Sequence, residues 1–263
     1  AFIAAIEEAK AEIQLIADNT EEPAFANTIE PLNTSGRTLN TVAGIFFNLN
    51  QACTNEEMQQ IAEEVAPMMT EYSMSIILNP VLFRKVKAVY EMKDSLDLNQ
   101  EQDKLLEETY KSFTRNGANL PDDQKEEYAR LQEELSITTL TFGRNVLNGT
   151  NAYMLEITDE ADLAGLPDYV REMAAADAKA KGKEGWVFTL DQPSYSPFLK
   201  YSTRRELREQ IWKAYNSKCI GGEFDNTVNI QKIVDLRIRI AQLLGYETYA
   251  DYALEDRMAK NPA

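Results

Sequence analysis

The sequence predicts a mainly α-helical protein: a multi-helix domain over residues 1–263 with a small two-stranded β ribbon near residues 152–190. Three observations predict it. Apolar residues recur at i, i+3, i+4 and i+7 through most of the chain, the period that places them on one helix face. Several of these runs follow a Thr or Asn with a Glu or Gln three positions on, the pattern of a capping box. Eleven glycines and nine prolines are too few for a loop-dominated β-sandwich and leave room for long helices.

The opening stretch "AFIAAIEEAKAEIQLI" is apolar at helical spacing. Glu7, Glu8, Lys10 and Glu12 interrupt it, which makes an amphipathic helix and not the unbroken core of a leader. The chain starts inside this element, as a segment of a longer protein would. Thr54 with Glu57 is expected to cap a helix carrying Met58, Ile61, Ala62 and Val65 inward, and Pro67 to kink it. "LNP" at 78–80 should end that helix before a run through Val86 and Tyr90. Asn99 with Gln102 opens the next one, with Leu105, Leu106, Thr109, Tyr110 and Phe113 inward and Gly117 closing it. After Pro121, Asp122 and Asp123 suit the positive end of a helix dipole. Tyr128, Leu131, Leu135, Phe142 and Val146 then keep one face apolar for about seven turns. Within that run "ITTLTF" is strand-prone, but the sustained period outweighs it.

From Asn151 the texture changes. "AYMLEIT" (152–158) alternates, and "GWVFTL" (185–190) is short and β-prone, so the two should pair as a ribbon. Between them "LPDYVREMAAADAKAKGK" predicts an exposed helix, and residues 152–200 together form a β/α elaboration of the helical body. Pro193 and Pro197 are expected to turn the chain. Thr203 with Glu206 should cap a helix with Leu207, Ile211 and Tyr215 on one face and Trp212 beside them. The segment from Trp186 to Tyr215 holds both tryptophans of the chain. It reads first as the core where strand, turn and helix meet, with Trp212 an anchor; a ligand-lining role is the alternative. "GG" at 221–222 reads as a flexible turn. A nearly all-apolar helix follows through Ile230, Ile233, Val234, Ile240 and Leu244 to Gly245. No repeat period is present.

Composition narrows the chemistry. A net charge of −16 opposes nucleic-acid binding, which needs Lys and Arg against phosphate. No apolar run approaches the ~18 residues of a membrane span. Cys53 and Cys219 are too far apart in sequence for a zinc motif and read as buried free thiols. The chain has no histidine, so H-E-x-x-H zinc sites and Ser-His-Asp or Cys-His catalysis cannot be built within it. No phosphate-cradling glycine loop occurs. Glutamate doublets at 56–57, 63–64, 107–108, 126–127 and 133–134 fall on polar helix faces. The residues therefore assign no catalytic group, no metal ligand, no substrate-binding residue and no cofactor to this chain.

Several strings carry a resemblance: "EPAFANTIEPLNTSGRTL" (22–39), "SFTRNGANLPDDQK" (112–125), "DEADLAGLPDYV" (159–170), the segment 186–215, "EFDNTVNIQKIVDLR" (223–237) and "LLGYETYADYALEDRMAKNP" (243–262). In this order they resemble the N-terminal half of the thimet oligopeptidase family of zinc metallopeptidases. The similarity is to the bacterial peptidyl-dipeptidase (dipeptidyl carboxypeptidase) and oligopeptidase A branch. The resemblance implies a helical wall of a deep substrate channel, with zinc held on an H-E-x-x-H helix in a C-terminal catalytic half absent here. It implies zinc as the cofactor of the full-length parent only, and as partners that catalytic half and short peptides, which the parent would shorten by C-terminal dipeptides. Relatives of this kind work in cytoplasm or periplasm. No family catalytic residue or zinc ligand has a matching position. Pro31, four residues past an expected N-cap at Asn27, departs from the family, as does "YETYADY", where relatives often carry a histidine. A first half alone should leave apolar surface uncovered. The alternative is a stand-alone helical binding or scaffold protein; a carboxylate-based hydrolase ranks third. A reading frame continuing to H-E-x-x-H would separate the first two.

Overall fold

α1 (Phe2–Asp18) forms as its pattern dictates, burying Ala5, Ile6, Ala9, Ile13 and Ile16 on one face. Its polar face ties down the next segment: Glu12 accepts the Gly36 amide at 2.7 Å and Glu8 the Thr38 hydroxyl at 3.0 Å. A single π-helical turn (Phe25–Ile29) leads into α2 (Glu30–Thr34). Asn27 lies inside that turn and does not cap a helix. Its Oδ1 accepts the Ala24 amide at 2.8 Å, while its amide nitrogen donates to the Glu22 carbonyl. Pro31 is the second residue of α2, directly after the π-helical turn.

α3 (Arg37–Cys53) and α4 (Glu56–Ile77) follow. The cap of α4 sits one residue later than expected. Asn55 accepts the Met58 amide at 2.9 Å, while the Thr54 hydroxyl turns back to Asn50 at 2.7 Å. The helix runs on through Pro67. Asn79 caps α5 (Pro80–Glu91) by accepting two amides, with Pro80 at its start. The capping box of Asn99 and Gln102 is present on α6 (Gln100–Arg115), where Leu106 and Phe113 are buried. α7 (Asp122–Asn151) is one continuous helix through "ITTLTF".

The β ribbon pairs β1 (Leu155–Ile157) antiparallel to β2 (Trp186–Phe188), with Leu155 opposite Phe188 and Ile157 opposite Trp186. α8 (Asp168–Ala180) lies between them in sequence and packs on β2. It was expected to be exposed, yet it buries Val170, Ala174 and Ala178: its small residues at helical spacing let it sit close to the strand. α9 (Gln192–Tyr201) contains both prolines that were expected to turn the chain. Pro193 stands in the first turn, where it costs no ladder hydrogen bond, and the helix continues past Pro197, which removes one. α10 (Arg205–Ser217) begins after Arg204 without a side-chain cap. Thr203 instead donates its hydroxyl to the Ala164 carbonyl at 3.0 Å. α11 (Thr227–Leu243) and α12 (Tyr249–Leu254) complete the elements, α12 with a capping box of Thr248 and Asp251.

The computed structural model describes residues 1–262. They form two compact units, one of residues 1–138 with 232 onward, the other of residues 139–231. The first is filled by three clusters, centred on Ile29, Leu82, Val86 and Leu106, on Ile6 and Leu39, and on Tyr128, Leu131 and Ile240. The second has one core, from Leu155 and Phe188 of the ribbon to Phe198 and Ile211. On α11, Ile233, Leu236 and Ile240 are buried while Ile230, Val234 and Ile238 remain in water.

Candidate functional site

In the second unit the aromatic segment builds a joint. Thr189 and Asp191 grip each other (Thr189 Oγ1 donates to Asp191 Oδ2 at 2.9 Å), and the buried Ser194 hydroxyl accepts the Thr189 amide at 3.0 Å. This turn delivers α9 so that Phe198 meets Phe188 with ring centroids 4.5 Å apart. Tyr195 stacks on Tyr215 at 4.1 Å, the Lys218 ammonium lies 4.2 Å from the Tyr215 ring centroid, and burial raises the Tyr195 phenol. Phe188, Phe198, Tyr195 and Ile211 are core, as the joint requires. Trp212 is not: it is 51% exposed and so is no anchor. It follows Ile211 on the helix, and the ~100° step per residue carries its ring off the buried face.

In the first unit two of the quoted strings meet. Arg115 on α6 donates to the Tyr252 carbonyl at 2.7 Å, lies 5.0 Å from the Tyr252 ring centroid and pairs with Glu255. The Tyr252 hydroxyl donates to Asn116 at 3.3 Å, Tyr246 donates to Glu255 at 2.7 Å, and Lys111 pairs with Asp256. Lys111 holds the Asp256 carboxyl below its ordinary range. Burial pushes the Tyr128 phenol far up, against the pull of the Gln132 amide that donates to it at 2.8 Å. These groups are committed to one another, which suits them to fixing the chain. Several glutamate doublets are likewise engaged with surface cations: Glu107 with Lys93, Glu108 with Lys104, Glu127 with Arg239 and Glu134 with Lys232.

The donor set of this chain does not fit a zinc site. Histidine is missing from the sequence. Cys53 and Cys219 belong to different units. Among the described residues no three His, Cys, Asp or Glu side chains stand close enough to share an ion. Both thiols are free, but Cys53 is exposed and not buried, because α3 turns its C-terminal end to solvent; Cys219 is half-buried, and burial raises its thiol. Among the described residues no helix is long and apolar enough to cross a membrane. An open cleft of about 600 Å³ lies beside the π-helical turn, floored by Phe25 and Leu105 with Glu30 and Glu101 among its walls. Sequence reasoning missed the Arg115–Tyr252 clasp, whose partners are too distant in the chain for any local pattern to show them.

Two family models match. One, described as the N-terminal domain of neurolysin/thimet oligopeptidase, covers residues 2–125, and the other, peptidase family M3, covers residues 198–263. Among curated relatives, a probable cytosolic oligopeptidase A of Arabidopsis thaliana is 31% identical over 97% of this chain and 37% of its own length. Oligopeptidase A of Salmonella typhimurium is 30% identical over 98% of this chain and 39% of its own length. Dipeptidyl carboxypeptidase of Escherichia coli is 33% identical over all of this chain and 39% of its own length. The chain thus spans well under half the length of these relatives.

Proposed function

Because the chain belongs to peptidase family M3, the thimet oligopeptidase family, we propose that it is the N-terminal, non-catalytic part of a zinc metallopeptidase acting on short peptides. One observation carries the reading: relatives named for oligopeptidase and dipeptidyl carboxypeptidase activity align along 97–100% of this chain with only 37–39% of their own length. In this reading the helices form one wall of a channel that admits unfolded peptides, and the complete enzyme releases C-terminal dipeptides. Zinc, which activates the attacking water in such enzymes, would be held by residues outside this sequence, since the donors present here do not fit it. This chain's own contribution is shape: fixed helices whose polar groups are already engaged, so that a peptide meets a preformed surface.

The test uses the full-length polypeptide. Purified without an affinity tag, it should carry one zinc and cleave a blocked tripeptide to release the C-terminal dipeptide, and a chelator should abolish both. The 263-residue chain should do neither alone. Full-length protein without chelator-sensitive hydrolysis would overturn the reading. Cleavage at internal bonds only would remove the dipeptide release and keep the peptidase.

A further inference from the structure

The loop joining α10 to α11, residues 218–226, is fastened from within and leaves Ile220 exposed beside Gly221, Gly222 and Glu223. Asn226 is 1% exposed. Its Nδ2 donates to the Phe142 carbonyl at 3.1 Å, and its Oδ1 accepts from Asn145 at 3.1 Å and Asn229 at 2.8 Å. Its backbone amide donates to the Cys219 carbonyl at 2.9 Å. Cys219 sits in the left-handed region at φ 62 and donates its S–H to the Asn145 carbonyl at 3.2 Å. A Cβ at Gly149 would lie 2.9 Å from that sulfur, so the loop presses on α7 as closely as a glycine permits. One oxygen of Asp225 accepts the Gly221 amide, the Thr227 amide and the Thr227 hydroxyl, at 3.0, 3.0 and 2.7 Å.

The outer side is different. Ile220 is 70% exposed and Val228, in the first turn of α11, 67% exposed, and a Cβ at Gly221 or Gly222 would meet open space. Moving such a side chain out of water is favourable, a gain that this chain leaves unused at a loop it has otherwise fixed. A fixed backbone also removes the ordering cost that a flexible loop would incur on binding.

We propose that residues 218–228 are a preformed docking knob, with Ile220 and Val228 seated in the complete protein against the remaining portion of the peptidase polypeptide. The proposal rests on the reading of function above and adds the surface by which this part meets the rest. The occupant follows from two facts. The knob lies in the stretch matched by peptidase family M3, residues 198–263. This chain accounts for only 37–39% of the relatives' length, so the larger share of the same polypeptide is available to cover it.

The test is maleimide labelling of Ile220→Cys, with Val228→Cys as a second variant, read position by position by mass spectrometry. Each is made in the zinc-loaded full-length protein and in the 263-residue chain. Labelling in the full-length protein should be about ten-fold slower or more, because a covered thiol waits for local opening. Equal rates at both positions overturn the proposal. A rate in the 263-residue chain that falls as its concentration rises assigns the knob to a second copy. A full-length rate that falls only when peptide is added assigns it to substrate, and either result overturns the proposal. Zinc content and hydrolysis of the unsubstituted protein judge the functional reading separately: active enzyme with equal labelling removes the docking alone, and inactive protein with protection removes the function alone.

Discussion

Phe198 and Trp212 exchange the roles that their residue types suggest, and truncating each to alanine measures the exchange. Phe198 is fully buried, meets Phe188 at 4.5 Å and belongs to the single core of the second unit. Phe198→Ala should cost about 3–5 kcal/mol for transfer and cavity, with roughly 0.5–1.5 kcal/mol more for the lost ring pair. Trp212 keeps 51% of its surface in water. A fully buried tryptophan covers up to about 250 Å², so about half of that at 25 cal/mol per Å², discounted for contacts in the unfolded chain, gives about 2–3 kcal/mol at most. Both tryptophans of the sequence, Trp186 and Trp212, lie in the unit of residues 139–231, so their fluorescence reports that unit alone. In urea melts, Phe198→Ala should lower the midpoint far more than Trp212→Ala, with Trp186 as reporter in the second variant. Equal midpoints, or a larger loss for Trp212→Ala, would refute the assignment of core and surface.

Gly185→Ala should unfold the ribbon, because its Cβ would lie 2.3 Å from the Ile157 carbonyl oxygen at φ +77, whereas Gly182→Ala at φ +66 meets nothing within 4 Å and should cost only the ~1–2 kcal/mol of a left-handed L-residue; urea melts compare the two. Asn55→Ala should cost about 0.5–2 kcal/mol by removing the cap of α4, and Thr54→Ala distinctly less, as followed by far-UV circular dichroism in urea. Burial raises the Tyr128 phenol above its ordinary value. The unfolded chain therefore releases that proton first, and stability is lost as pH rises past about 10; Tyr128→Phe should flatten the loss between about pH 10 and 12 in urea melts. Hydrogen bonds from the Thr227 hydroxyl and the Gly221 and Thr227 amides hold the Asp225 carboxyl low. Its stabilising effect is present above the unfolded value near 4 and is lost as pH falls below it, so Asp225→Asn should show a shallower acid loss than the unsubstituted protein.

What the sequence showed plainly is what neighbours within a turn decide. Asn99 and Gln102 cap α6 as their spacing dictates, and "ITTLTF" is helical because the long apolar period of α7 overrides six strand-prone residues. Where two adjacent residues qualify equally, spacing cannot choose. Thr54 and Asn55 can both cap, and the choice falls to Asn55 because Asn50, one turn back, takes the Thr54 hydroxyl. Ile211 and Trp212 are both apolar, and only the rotation of α10 against the ribbon core decides that Ile211 is buried. Prolines misled for a related reason: Pro193 falls in the first turn of α9, where its amide is spared, the helix continues past Pro197, and the turn that starts it is built by Thr189, Asp191 and Ser194. The clasp of Arg115 on Tyr252 spans 137 positions, beyond any local signal.

The loop at 218–226 shows why a chain of this kind completes its polar contacts and leaves apolar ones open. A buried amide left without partners costs its full desolvation, about 1–3 kcal/mol, so Asn226 must find Phe142, Asn145 and Asn229 within this chain before the backbone can hold its shape. An exposed isoleucine only forgoes a gain. Ile220 and Val228 can therefore wait for another surface without endangering the fold, while Asn226 cannot. The asymmetry separates the two kinds of residue experimentally. Changing Asn226 to leucine should destabilise the unit by itself, because it removes the hydrogen bonds that join the loop to Asn145, Asn229 and the Phe142 carbonyl. Changing Ile220 to serine should leave its stability within about 0.5 kcal/mol of the original, as surface substitutions do. If instead Ile220→Ser unfolds the isolated chain in urea melts, the isoleucine stabilises this loop directly and the division between inner clasp and outer knob fails.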